Sequence, residues 1–243
     1  MFIGSGVQIG GGVRVISEIT GIVTSGLQVN LLTAPSSGTT WTDVQGGYNA
    51  TLQGSTSYVA NNGGGIRLNN STYTGTDYIS LPYNISSGTA TVEIVASFNP
   101  TSFWATVWGN EVYNTAAGYI AYMTSSTGIT WGDGNGSTTA TITASNSIRH
   151  WTFVIDGTSL LLYLNGSQLG TTAFITAQTS FASSDFYFGA RHQNAGGGPG
   201  TDKMNNSTAA NYPVFYQMRI YNKALSAAEV TQNYTAIRGT YGI

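Results

Sequence analysis

Apolar and polar residues alternate in short runs along most of this chain, and clusters of Gly, Asn, Asp, Ser and Thr separate the runs. Alternation with period two places every second side chain on one face of an extended strand. In "WTFVIDGTSLLLYLNGSQLGTT", Trp151, Phe153 and Ile155 alternate with smaller or polar residues, and Asp156-Gly157 and Asn165-Gly166 interrupt the pattern. Asp-Gly and Asn-Gly supply the positive φ angles of type I′ turns, so this segment predicts a three-stranded antiparallel meander. "TVEIVASF" predicts a strand with Val92, Ile94, Ala96 and Phe98 on one face. "YPVFYQMRIY" predicts another, with Val214, Tyr216, Met218 and Ile220 opposed to Phe215, Gln217, Arg219 and Tyr221. Strand signals of this kind begin near Gly26.

Only "LSAAEVTQNYTAIRG" departs to a helical period. Ser226 is an N-cap, Glu229 completes a capping box, and Leu225 and Val230 form a hydrophobic staple. Val230, Tyr234 and Ile237 make the apolar stripe, and Gly239 is placed to end a short helix lying on a sheet.

The first residues follow another rule. "GSGVQIGGGVRV" is six residues said twice, with Val7 and Ile9, then Val13 and Val15, at spacing two between glycines. Each pair leaves one face of an extended chain, but glycine supplies no core, so the segment pairs with a partner and does not fold alone. Residues 1–19 are therefore expected to be an arm for docking or oligomerisation, and residues 20–243 the folded body. No basic n-region or unbroken apolar h-region precedes Arg14, so no secretory signal is expected.

The chain has 243 residues, 41% hydrophobic and 12% aromatic, enough for one large β domain with a sizeable core. Charged residues make up only 7%, and the net charge of −2 leaves no footprint for nucleic acid. No apolar run is long enough to insert in a membrane as a helix. With no cysteine, stability rests on the core and on assembly.

"WTFVIDGTSLLLYLNG" (Trp151 to Gly166), followed by "MRIYNKALSAAEV" (Met218 to Val230), resembles the laminin-G-like branch of the concanavalin A-like lectin/glucanase superfamily. "SSGTTWTDVQGGYNATL", "GGGIRLNN", "TDYISLP" and "TVEIVASFNP" extend that likeness from about Gly26 to Arg238. The resemblance implies an all-β fold: a concanavalin A-like jelly-roll sandwich of two antiparallel sheets, with one short C-terminal helix and the extended N-terminal arm. The glycine-repeat opening and the "TAIRGTYGI" ending are similar to proteins of tailed bacteriophages.

Some members of this superfamily hydrolyse glycans, which takes two carboxyl groups facing each other across the scissile bond. Laminarinase-type members carry Glu-x-Asp-x-x-Glu on one strand. Here Glu93 stands alone, with Val95 and Phe98 at the other two positions. Glu93 reads as a solvated outer-face residue and His150 as a strand-edge residue, so no catalytic residue and no enzyme activity are expected. "WGDGNGS" sets Asp133, Asn135 and Ser137 at alternate positions as in the start of a calcium loop, but Ala144 takes the place of the bidentate glutamate. A turn is the simpler reading, and no metal or cofactor is expected.

Sugar recognition combines an aromatic ring with convergent polar groups. Trp104, Trp108, Tyr113 and Trp131 stand next to loops, although each tryptophan also suits a core position. The irregular stretch Ala190 to Tyr212 gathers Arg191, His192, Asp202 and Lys203, and loops of such length are usually functional or disordered. Trp131, Asp133, Asn135, Arg191, His192 and Asp202 are the candidate ligand-binding residues, set on loops at the sandwich tip. Packing against a sister subunit is the alternative role for that stretch.

Together these features predict a non-enzymatic virion structural protein at the particle surface, as capsid decoration or a tail or fibre component. Its partners would be other virion proteins through the arm, sister subunits in a homo-oligomer such as a trimer, and a host-surface glycan. A free-standing carbohydrate-binding module is the alternative, and a glycan-degrading enzyme ranks behind both.

Overall fold

A computed structural model of the chain describes residues 21–85, 88–100, 104–110, 118–133, 136–143, 145–173, 185–191 and 202–243. The arm residues Val7, Ile9, Val13 and Val15 lie outside the described residues. The strands begin with β1 (Leu27–Leu31), β2 (Thr40–Trp41), β3 (Ala50–Gln53), β4 (Ser57–Val59), β5 (Gly65–Arg67) and β6 (Tyr78–Leu81). Next come β7 (Thr89–Ser97), β8 (Ala105–Gly109), β9 (Tyr119–Ser125), β10 (Gly128–Asp133) and β11 (Gly136–Thr141). The last are β12 (Arg149–Asp156), β13 (Ser159–Leu164), β14 (Ser167–Ala173), β15 (Phe186–Phe188) and β16 (Val214–Tyr221), followed by helix α1 (Ala227–Tyr241).

They form two eight-stranded sheets whose described pairings are all antiparallel. The first runs β14-β13-β12-β7-β16-β5-β4, and β1 takes over from β5 along the edge of β16. The second runs β11-β10-β9-β8-β15-β6-β3-β2. The core lies between them. Val92, Ile94, Ala96, Phe98, Trp151, Phe153 and Ile155 from the first sheet meet Leu52, Ile79, Trp108, Met123, Trp131 and Phe188 from the second. The residues from the first sheet are the alternate positions that the sequence pattern assigns to one face.

Three local features differ from the sequence reading. Asn165 (φ 50°) and Gly166 (φ 77°) make the expected type I′ turn, but at the other hairpin only Gly157 has positive φ. There the Asp156 carboxylate accepts from the Thr158 and Ser159 backbone N–H groups, and side-chain bonding replaces the second left-handed residue. In β16 a bulge falls between Phe215 and Gln217. Phe215, Met218 and Ile220 therefore face the core, while Val214, Tyr216, Gln217, Arg219 and Tyr221 face outward. A one-residue slip exchanges faces, which is why strict alternation misassigned Val214, Tyr216 and Phe215.

Helix α1 carries the full capping box: Ser226 Oγ accepts from Glu229 N, and Glu229 accepts from Ser226 N. It does not stop at Gly239. It continues to Tyr241, whose buried ring packs on Tyr216, and ends at left-handed Gly242. Burying Tyr241 one turn beyond Ile237 outweighs the roughly 1 kcal/mol of placing glycine inside a helix. The helix covers the outer face of the first sheet together with residues 22–27. Among the described residues no helix is long and apolar enough to cross a membrane.

Under the helix lies a polar cluster that sequence reading missed. Glu93 is not a solvated residue; it is 1% exposed. It accepts from Asn233 Nδ2 at 2.9 Å and from Arg219 Nη1 at 3.3 Å, with His150 Nε2 at 3.4 Å. His150 is likewise not at a sheet edge, since β12 lies between β13 and β7 and buries it completely. Burial alone would raise the Glu93 carboxyl, but the hydrogen bond and charge of His150, the Arg219 charge and the Asn233 bond outweigh it. The carboxyl is held below its ordinary range. Asn233 Oδ1 in turn accepts from Val23 N at 2.7 Å, which ties the segment before β1 to the helix.

Candidate functional site

Helix α1 covers much of the outer face of the first sheet, and among the described residues no helix covers the outer face of the second. Its register aligns one outward row across eight strands: Thr40, Thr51, Ser80, Tyr187, Gly109, Ile120, Gly132 and Ser137. A neighbouring row holds Thr106, Tyr122, Thr130 and Thr139, with Thr130 and Thr139 hydroxyls 2.6 Å apart. On these rows Thr106, Thr130, Ile120, Tyr122 and Tyr187 are buried, while Thr40, Thr51, Ser137 and Thr139 toward the sheet edges are exposed.

Trp104, just before β8, dominates this face. Half of its surface is exposed, and its ring stacks on Tyr122 with centroids 4.8 Å apart. Its backbone is left-handed (φ 66°), a conformation that costs a bulky residue of order 1–3 kcal/mol and clusters at functional sites. The Arg191 guanidinium lies 6.0 Å from the indole centre. Arg191 lies over Gly109, where a Cβ would be in ordinary contact with Arg191 Cβ at 3.5 Å. Asp202 pairs with Arg191 and fixes the guanidinium.

A second group adjoins it around Tyr187. Tyr78 meets Tyr187 edge-on at 5.4 Å, and Lys203 Nζ lies 5.3 Å from the Tyr78 ring centre. Asp185 accepts from Ser80 Oγ at 3.2 Å. Burial brings the Lys203 amine down to about 8, against a smaller upward pull from Asp202. Burial, helped by Asp185, pushes the Tyr187 hydroxyl up to about 12.

Of the residues predicted from sequence, the structure brings Arg191 and Asp202 together on this face, in mid-sheet and not at a loop tip. Trp131 is not a stacking platform. It is fully buried, its Nε1 donates across the sandwich to Leu160 O at 2.8 Å, and its ring packs over Gly170. Asp133 is also buried, on the core-facing side of β10 beside Tyr119, so the sheet separates it from Arg191. Asn135 and His192 lie outside the described residues. The stretch Ala190 to Tyr212 is not a free loop over its described second half. Lys203, Met204, Asn205 and Asn206 are buried, and Asn70 Nδ2 donates to Met204 O and Asp77 O. Tyr122, Tyr78 and Tyr187 went unread because only strand register reveals that they face outward together.

An aromatic and hydroxyl-lined sheet face on a jelly-roll sandwich can be set beside known proteins. The Laminin_G_3 family model, of the concanavalin A-like lectin/glucanases superfamily, matches residues 54–231, well over half of the chain. The chain belongs to this family. No curated protein sequence matches it. Similar folds include the binding domain of botulinum neurotoxin DC in complex with rat synaptotagmin II, at TM-score 0.62 and 12% identity over 87% of this chain. The same toxin's binding domain in complex with SialylT is similar at TM-score 0.63 and 11% identity, also over 87%. The chain spans about half the length of these toxin chains, 52% in both. Domain 4 of AbnA, an extracellular arabinanase from Geobacillus stearothermophilus, in complex with arabinotriose, is similar at TM-score 0.60 and 15% identity. That likeness covers 86% of this chain and 98% of that domain.

Proposed function

We propose that this chain is a non-enzymatic adhesion module that binds glycan through the outer face of its second sheet, displayed on a bacteriophage particle by its N-terminal arm. The half-exposed Trp104, stacked on Tyr122 in a strained backbone, carries the reading. A sugar offers an apolar face to such an indole and hydroxyls to Arg191, Asp202 and Ser80, which are partly exposed. The arabinotriose and SialylT complexes of similar folds support a glycan ligand, and the synaptotagmin complex makes a protein receptor the competing one. The absence of catalysis is supported by Glu93, whose carboxylate is enclosed under α1 among Arg219, His150 and Asn233. The particle role rests on the glycine-repeat arm and the phage-like ending. The near-complete overlap with a single arabinanase domain supports a carbohydrate-binding module, and one standing free of any particle is the second reading.

The test is a glycan array probed with the full chain, with Trp104→Ala and Arg191→Ala as variants. A single sugar contact near millimolar Kd is worth only about −4 kcal/mol, so display in many copies strengthens the signal. Binding lost in Trp104→Ala, with an unchanged melting temperature, is the expected result. Binding that survives both substitutions moves the site off this face.

A further inference from the structure

The first sheet carries an opening of its own. Helix α1 covers its outer face only as far as Tyr241, whose ring lies against Tyr216. On the other side of Tyr216, over β5 and β4, an open cleft of about 170 Å³ is walled by Arg67, Tyr216, Tyr212, Asn61, Asn146 and Asn211. Its position follows from register. Ile66 faces the core, so Arg67 projects outward opposite Val214 and Ser57.

Arg67 is the charged residue of this lining. Arg191, Arg219 and Lys223 each pair with a carboxylate. Arg67 has no such partner among the described residues, and its Nε is buried without an acceptor. A buried donor left unpaired costs stability until an acceptor arrives, and a guanidinium fork matches a carboxylate with two parallel bonds. Around it stand amides and tyrosines, and among the described residues no acidic side chain lines the cleft. Asn146 Nδ2 donates to Asn211 Oδ1 at 2.7 Å, which leaves the Asn146 carbonyl and the Asn211 amino group for hydroxyls. Drug-sized ligands occupy roughly 300–1,000 Å³. This cleft suits a single ring.

We propose that the Arg67 cleft binds one carboxylate-bearing sugar residue, a uronic or sialic type of unit, at a site separate from the Trp104 face. Arg67 clamps the carboxylate, Tyr212 and Tyr216 cover the apolar edge of the ring, and the asparagines take its hydroxyls.

The experiment titrates the 15N-labelled full chain with sodium glucuronate, glucose and sodium acetate, following the Arg67 Nε–Hε signal and neighbouring amides. Glucuronate should shift these signals saturably, at least tenfold more tightly than glucose or acetate. Arg67→Lys should weaken it about tenfold by losing the fork, and Arg67→Met should abolish it, with signal dispersion verifying that both variants are folded. Trp104→Ala should leave it unchanged. Equal binding of acetate, or of glucose, overturns the assignment of an acidic sugar. No saturable shift, or a response that persists in Arg67→Met, overturns the site.

Discussion

Replacing Glu93 by glutamine keeps the shape of the side chain and removes the charge that Arg219 faces. Both residues are almost wholly enclosed, at 1% and 2% exposure, and stand directly opposite each other on β7 and β16. At an effective dielectric of about 20, unit charges at their 3.3 Å separation attract by about 5 kcal/mol, much of it offset by desolvating both ions. The pair as a whole is therefore a weak net contributor, but half a pair is costly. Glu93→Gln leaves the Arg219 guanidinium buried without a counter-charge, and such a loss costs about 3–5 kcal/mol. The double variant Glu93→Gln/Arg219→Met removes both charges and should recover much of that loss. Urea denaturation of the wild type, both single variants and the double variant gives the coupling directly. Acid adds a second readout. The folded-state carboxyl titrates below its ordinary 4.5, so its stabilisation is complete above that value and is lost as pH falls through the folded-state value. That acid-labile component should be missing from Glu93→Gln. Additive single-variant losses, or a Glu93→Gln cost under about 1 kcal/mol, would refute the coupled buried cluster.

Two further outcomes follow from the same geometry. Ser226→Ala removes the cap bond to Glu229 N and should cost about 0.5–2 kcal/mol by thermal denaturation; no change would mean that the helix start is held by its staple alone. Lys203 has a folded-state value of about 8 against an ordinary 10.5, so its contribution is fully present above 10.5 and is lost as pH falls through 8. Lys203→Met should therefore be more favourable to stability at pH 7 than at pH 10.5, and an equal effect at both would show that the amine is solvated.

The inward faces of β7 and β12, the Asn165-Gly166 turn and the Ser226 cap were legible because each depends on residues within a few positions of one another. Periodicity, turn chemistry and capping are local, so the chain announces them before it folds. The resemblance carried the jelly-roll sandwich, since no local rule pairs β7 with β16 across more than a hundred residues. The two arginines show the limit of that reading. Arg67 follows Ile66 and Arg191 follows Ala190, and the two look alike in sequence. Register places Arg67 at a cleft without a carboxylate, and places Arg191 over Gly109 beside Asp202 and Trp104.

What the sequence determined by itself was therefore the β character, the core-facing residues of its regular strands, the capped helix and the scarcity of charge. Tertiary structure decided where the few charges went. It buried Glu93 and His150 beneath the helix, shifted the faces of β16 at one bulge, and took Trp131 into the core, leaving Trp104 exposed. The physical reason is that burial, ion pairing and ring stacking depend on distances between residues far apart in the chain, and register sets those distances only once both sheets have formed.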